Sequence, residues 1–240
     1  MAGVHDLTIE VPYRLGRLRS RASRGREMGA VVVLRKLRRR LWSTRRSIAV
    51  VRELVEMGSP KWLLVAWVEP ADFDELASLV EHAVGVEYLN TRPIERTRLA
   101  AAGTLSVARD RSGALLAFHF VHRRHDHEAL NAVAPNMYPR MSEDEVLTEA
   151  VYCLPACRGR HIAADLLVAT GSRLAAEGVQ RAWAYLDTTN TSALRMFNRA
   201  GYTLSGTERV DRYRLGRYTT SFRALSSRSR SEWCAITGSS

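Results

Sequence analysis

Hydrophobic positions along the chain follow two rhythms. Short runs rich in Val, Ile, Leu and aromatic residues predict strands over 47–54, 61–68, 103–109, 114–122, 146–154 and 182–186, with two more over 202–205 and about 212–223. Apolar residues at helical spacing predict helices over 72–82 (Phe73, Leu76, Leu79, Val80), about 91–100, and 161–177 (Ile162, Leu166, Leu167, Leu174). A further helix starts at Asn190 or Thr191, both good caps, and stops at Gly201. Asp110-Arg111-Ser112-Gly113 predicts a hairpin turn, and Met57-Gly58-Ser59-Pro60 another turn. Residues 128–142, with Pro135 and Pro139, predict an irregular connection, and the Ser-rich residues 225–240 a frayed, flexible end.

The first 46 residues follow neither rhythm cleanly. Residues 1–29 are rich in Arg, Gly and Ser and predict disorder, and Met28 is a second possible start. Over 30–42, Leu34, Leu37, Leu41 and Trp42 recur at helical spacing, with Arg35, Lys36, Arg38, Arg39 and Arg40 between them. This basic amphipathic helix would suit an anionic membrane surface or nucleic acid, or would pack its leucines on the domain. Three regions follow: a basic extension over 1–46, a domain over 47–224 and a tail over 225–240.

Charge sharpens that division. The chain of 240 residues has a formal net charge of +11. Residues 1–50 hold 13 Lys+Arg and 3 Asp+Glu, leaving 23 against 22 for the rest. The excess therefore belongs to the first segment. No apolar run approaches the roughly 20 residues that span a bilayer, and the expected location is the cytoplasm, peripheral to the membrane if residues 30–46 bind one. The three cysteines, Cys153, Cys157 and Cys234, form no disulfide framework and lack zinc-ligand partners, so no metal is expected. Four of the seven histidines lie in 119–127, and His122 and Asp126 have a His-x-x-x-Asp spacing; a polar loop explains both better than a metal or that motif.

The stretch from Glu149 to Ala164 carries the chemistry. A strand runs into Pro155, then the basic turn Arg158-Gly159-Arg160-His161, then the helix opening Ile162-Ala163-Ala164. A helix's first N–H groups lack intrahelical partners, and with two arginines beside them they suit a phosphate. Alone, this is also an ordinary strand-to-helix connection with two solvated arginines. It resembles motif A of the GNAT superfamily of acyl-CoA-dependent N-acyltransferases, Arg/Gln-x-x-Gly-x-Gly/Ala, with Arg158 first, Ala163 last and His161 at the middle glycine. Asn190, Ala193, Phe197, Arg199, Gly201 and Tyr202 resemble the family's second motif, with Phe197 at its tyrosine.

The resemblance implies an α/β (α+β) fold, a mixed, mostly antiparallel central sheet flanked by helices and splayed at the cofactor strand, with acetyl-CoA or another acyl-CoA as co-substrate. It implies pantetheine pairing with the backbone of Cys153 and Leu154, one of whose N–H groups faces the thioester carbonyl. Phosphates would sit on Arg158, Gly159, Arg160, His161, Ile162, Ala163 and Ala164, and Asn190 would contact the pantetheine arm. A helical backbone at His161 would make the histidine tolerable. Glu149 is the candidate base, with Glu143 and Asp144 behind it; it is equally read as a solvated or ion-paired strand glutamate. Phe197 cannot donate a proton, leaving Tyr185, Tyr202 or water as the acid. The expected reaction is direct acyl transfer to a primary amine, rather than through a cysteine. The alternative is a non-catalytic GNAT-like module that binds coenzyme A or a partner, tethered by its basic N-terminus.

Overall fold

The computed structural model describes residues 9–10, 42–56, 62–68, 104–133, 136–215 and 217–239. The predicted helices over 30–42, 72–82 and 91–100, apart from Trp42, lie outside these residues, as does the predicted disorder over 1–29 except at 9–10.

Among the described residues, nine strands form one sheet in the order β1-β9-β8-β2-β7-β6-β5-β4-β3. They are β1 (Ile9–Glu10), β2 (Trp42–Glu53), β3 (Leu64–Val68), β4 (Thr104–Arg109), β5 (Leu115–His122), β6 (Glu145–Cys153), β7 (Arg181–Asp187), β8 (Thr203–Arg214) and β9 (Arg217–Ala224). All neighbours pair antiparallel except β6 and β7, which run parallel. The helices are α1 (His127–Val133), α2 (Ile162–Ala176), α3 (Thr191–Arg199) and α4 (Ser227–Thr237). This is the mixed, mostly antiparallel α/β architecture expected.

Burial on both faces explains the central strands. Ile48, Ala49 and Val50 of β2 are each at most 1% exposed, and all eight residues of β5 are buried. Strands covered on both sides lose alternation and read as continuous apolar runs. On one face α2 and α3 bring Leu167, Leu174, Leu194 and Phe197 against Ile48, Val50, Val146, Ala182 and Ala184. Each such side chain contributes about 1.5–3 kcal/mol on burial. On the other face Leu130, Met137, Tyr138 and Met141 cover Leu147.

Three expectations are corrected. Trp42 to Arg46 belong to β2, paired with Arg214 to Val210, so the sheet begins before residue 47. Residues 128–142 hold most of α1. Residues 225–240 are not frayed: Ser226 caps α4 through Ser229 N–H (3.3 Å), and Trp233 is 2% exposed in the core. Ser226 and Ser229 also donate to Glu208 Oε2 (3.0 and 2.6 Å), while Arg223 pairs with Glu208 Oε1 (Nε 2.7 Å). Burial alone would raise the Glu208 carboxyl, but the bonds from Ser229, Arg223 and Ser226 outweigh it and hold it below its ordinary value.

Candidate functional site

β6 leaves its neighbour partway along. It pairs with β7 only over Glu145 to Leu147 against Arg181 to Trp183, whereas β5 follows it to Cys153. Between the Phe118–Tyr152 and Phe120–Glu149 pairs β6 carries one extra residue, and Ala150 there has a φ of 51°. Such a bulge bends the strand and increases its twist. β6 and β7 therefore part like a wedge, with their C-terminal ends at its mouth.

One arm of the wedge leads into the predicted phosphate loop. Leu154 donates to Leu116 O (3.0 Å), so its N–H belongs to the β5 ladder and is removed as a candidate for the thioester carbonyl. Strand alternation turns the Cys153 N–H to the opposite edge, into the wedge. Pro155, Ala156 and Cys157 form a 3₁₀ turn, and Arg158 N–H is taken by Pro155 O (3.3 Å). Ala164 and Asp165 donate to His161 O (2.9 and 3.1 Å), leaving Ala164 no free N–H for a phosphate. The five successive N–H groups from Gly159 to Ala163 donate to nothing among the described residues. Gly159 (φ 77°) and His161 (φ 62°, ψ 8°) are both left-handed. Alternating backbone hands form a concave nest of N–H groups suited to an anion.

His161 thus has a left-handed conformation that favours glycine, not the helical one that would suit a histidine. The penalty is about 1–2 kcal/mol for a residue with a Cβ. Its side chain is exposed and makes no cap bond. Arg158 and Arg160 are exposed too; Arg158 lies back over Tyr152, 5.7 Å from the ring centroid, with Nε 3.4 Å from Cys153 O. Burial, then the neighbouring Cys157, push the Cys153 thiol up despite Arg158 and Arg160. A raised thiol is a poor nucleophile.

Solved structures similar to the chain include a GCN5-related N-acetyltransferase from Sphaerobacter thermophilus, at 16% identity over 82% of this chain and 57% of that one, TM-score 0.44. Another is a GNAT-family acetyltransferase from Colwellia psychrerythraea, at 13% identity over 76% and 57%, TM-score 0.47. A GCN5-related N-acetyltransferase from Kribbella flavida matches at 16% identity over 81% and 63%, TM-score 0.42. The chain spans less than two thirds of each of these structures. No protein-family model and no curated protein sequence matches the chain.

The other arm of the wedge ends at Asn190, which caps α3 through Ala193 N–H (3.1 Å). Asn190 therefore stands at the mouth, opposite the nest, with its Oδ1 committed to the helix. Phe197 is 3% exposed, its ring edge-on to Tyr202 at 4.9 Å. Tyr202 is buried as well, 3.3 Å from Thr148 Oγ1, and burial pushes its phenol up. Burial pushes Tyr185 up to about 12, against the pull of Arg209.

Glu149 lies beside the bulge on the face away from α2. It is neither simply solvated nor a lone strand carboxylate: Tyr138 donates its phenol to Oε1, and His122 Nε2 stands 3.7 Å from Oε2. Glu143 instead pairs with Arg124 at the surface (3.1 Å), and the Asp144 carbonyl holds Gln180 and Arg181, so neither is brought to Glu149. The polar-loop reading of residues 119–127 fails for its first two histidines, which lie in the strand predicted over 114–122. His119 and His122 are each 1% exposed inside β5, on opposite faces. His119 meets Thr170 Oγ1 (3.0 Å), which meets Ser106 Oγ (2.7 Å), and burial drops its imidazole to about 3. Asp126 accepts from Arg123 N–H (2.7 Å) and serves the turn after β5. Tyr138 and His122 were missed as partners of Glu149; β5's unbroken burial carried a faint signal for His122, and nothing in residues 136–141 marked Tyr138.

Proposed function

We propose that the protein transfers an acyl group, acetyl in the first instance, from an acyl-CoA to a primary amine in a ternary complex. The observation that carries this reading is the parting of β6 from β7 beyond Leu147, with the nest of N–H groups at Gly159 to Ala163 just past the wedge. A row of strand-edge groups suits the amides of a pantetheine arm, and the nest suits a pyrophosphate. Arg158 and Arg160 supply cationic charge beside it.

In this reading the amine nitrogen bonds to the thioester carbonyl carbon as the C–S bond breaks. The Cys153 N–H stabilises the developing oxyanion. Glu149 takes the proton the amine must lose. Burial pushes both the Tyr185 and Tyr202 phenols up, and Tyr202 is buried as well, so the leaving thiolate takes its proton from water. A cysteine-bound acyl intermediate is not part of the reaction, in keeping with the raised Cys153 thiol.

A second reading, a non-catalytic module binding coenzyme A, draws on His161, whose Cβ occupies a glycine-like position in the nest. Calorimetry with acetyl-CoA followed by thiol-release assays over an amine panel separates the two. Absence of binding at millimolar acetyl-CoA sinks both; binding without turnover, unaffected by Glu149→Gln, favours the second.

The reading extends to a cytoplasmic protein whose basic run contacts an anionic membrane or nucleic acid. Because β2 starts at Trp42, that contact narrows to residues 30–41. Co-sedimentation with anionic vesicles and with DNA, comparing the full chain with Arg35, Lys36, Arg38, Arg39 and Arg40 all replaced by Gln, tests it; equal sedimentation of both proteins counts against it.

A further inference from the structure

The segment between α1 and β6 fastens Glu149 from an unexpected direction. Asn136 enters it with a φ of 55°, its N–H held by Asn131 Oδ1 (2.7 Å). Tyr138 follows, 5% exposed, and gives its only donor to Glu149 Oε1. The Arg209 guanidinium lies 5.6 Å from the Tyr138 ring centroid and 5.2 Å from that of Tyr185. Arg209 is itself pinned: Nη1 donates to Met137 O (3.2 Å) and Nε to Asp211 Oδ2 (3.2 Å), while Thr220 donates to Asp211 Oδ1 (2.9 Å).

These contacts form one chain from β9 and β8, through residues 137–138, to β6. In the sheet β6 and β8 are separated by β7 and β2, and the β6–β7 ladder has already ended at Leu147. The chain of contacts thus spans the wedge on the face opposite α2. Packing alone does not call for the hydroxyl, since a phenylalanine would fill the same space beneath Arg209. The hydroxyl goes to a carboxylate whose side chain is 18% exposed.

We propose that Tyr138 is a positioning residue for Glu149, and that Arg209 acts through it. The inference rests on the reading of Glu149 as the base. A glutamate at the end of three torsions turns freely; a donor fixed on Oε1, with His122 beside Oε2, sets the plane of the carboxylate. Arg209 holds Tyr138 from the far arm, so the base keeps its aim only while the two arms keep their spacing.

Tyr138→Phe tests this by steady-state kinetics and calorimetry. The expected result is a kcat lowered about 10- to 100-fold, since misaligned reacting groups cost up to that much, with the acceptor KM and the acetyl-CoA Kd within about threefold. In a Glu149→Gln background the same change adds no further loss. Arg209→Lys, which loses the planar fork, lowers kcat less and adds nothing to Tyr138→Phe. A Tyr138→Phe enzyme within twofold of wild-type kcat, or an equal loss in both backgrounds, overturns the proposal. An inactive Glu149→Gln with an active Tyr138→Phe overturns it alone; a fully active Glu149→Gln removes the base and this inference together. Isotope-labelled tyrosine in otherwise unaltered and Glu149→Gln proteins reads the bond without touching Tyr138. One tyrosine resonance is expected to move, and an unchanged spectrum overturns the proposal.

Discussion

The two sides of β6 are made of different materials. Toward the nest the functional groups are backbone: the Cys153 N–H and the N–H groups of Gly159 to Ala163, presented by a turn and a helix end. Away from α2 they are side chains, with Glu149 held between Tyr138 and His122 and braced by Arg209. A backbone site depends on chain conformation and tolerates most side-chain changes; a side-chain site is the reverse. On the proposed reading, the same strand can keep a phosphate anchor while its acceptor chemistry diverges.

The largest effect should fall on the side-chain half. Glu149→Gln should lower kcat about 10²- to 10⁴-fold while acetyl-CoA affinity, measured by calorimetry, stays put. Cys153→Ala, on the backbone half, should keep kcat within about threefold because its N–H remains. Near-equal losses in the two variants would erase the distinction.

Next in size is the conformational test of the nest. Gly159→Ala places a Cβ at a φ of 77° where no atom lies within 4 Å, so its cost is backbone strain alone, about 1–2 kcal/mol. Denaturant melts should show that loss, and acetyl-CoA should bind several-fold more weakly. His161→Gly is its mirror: relief of strain and the extra freedom of an unfolded glycine nearly cancel in stability, while acetyl-CoA binding tightens. Weaker binding in His161→Gly would mean that the imidazole itself holds the ligand. Arg158→Ala, whose guanidinium rests on Tyr152, should weaken binding only about 3- to 10-fold, roughly 1 kcal/mol.

A control outside both halves comes from α4. Glu208 has a depressed folded value, so its stabilisation is present above the unfolded value of about 4.3 and is lost as pH falls through the folded one. His119 acts with the same sign over another window: folded at about 3 and ordinarily 6.5, it favours the native state above pH 6.5 and progressively less down to 3. Acid melts should therefore show a gradual decline below pH 6.5 and a steeper one below about 4.3. Glu208→Gln should flatten the steeper part and leave the gradual one.

How much the sequence disclosed follows the same split. The nest was legible because it is local: a strand, a proline, glycine and arginine, and an amphipathic helix are contiguous. The sheet was legible where alternation or continuous burial marked it, as in β4, β5 and β6. Glu149 could be named from its place on the strand, but its partners could not. Tyr138 and Arg209 lie 11 and 60 positions away and meet it only through the fold. His161 could be flagged as a departure, yet its left-handed backbone could not be read from residue type. α4 was overlooked because Ser and Arg dominate its exposed face, although a serine cap three residues before Ser229, with Trp233 one helical turn on, was present to be read.

The early start of β2 has a mechanical consequence. Trp42 follows the basic run directly, and β2 pairs with β7 from Ser47 to Glu53 and with β8 from Trp42 to Val51. Tension applied to the chain ahead of Trp42 pulls along the axis of an inner strand, across hydrogen bonds that lie perpendicular to it. Those bonds carry such a load together in shear instead of opening one by one. Anything that grips the arginines thereby holds the protein by a strand paired on both sides.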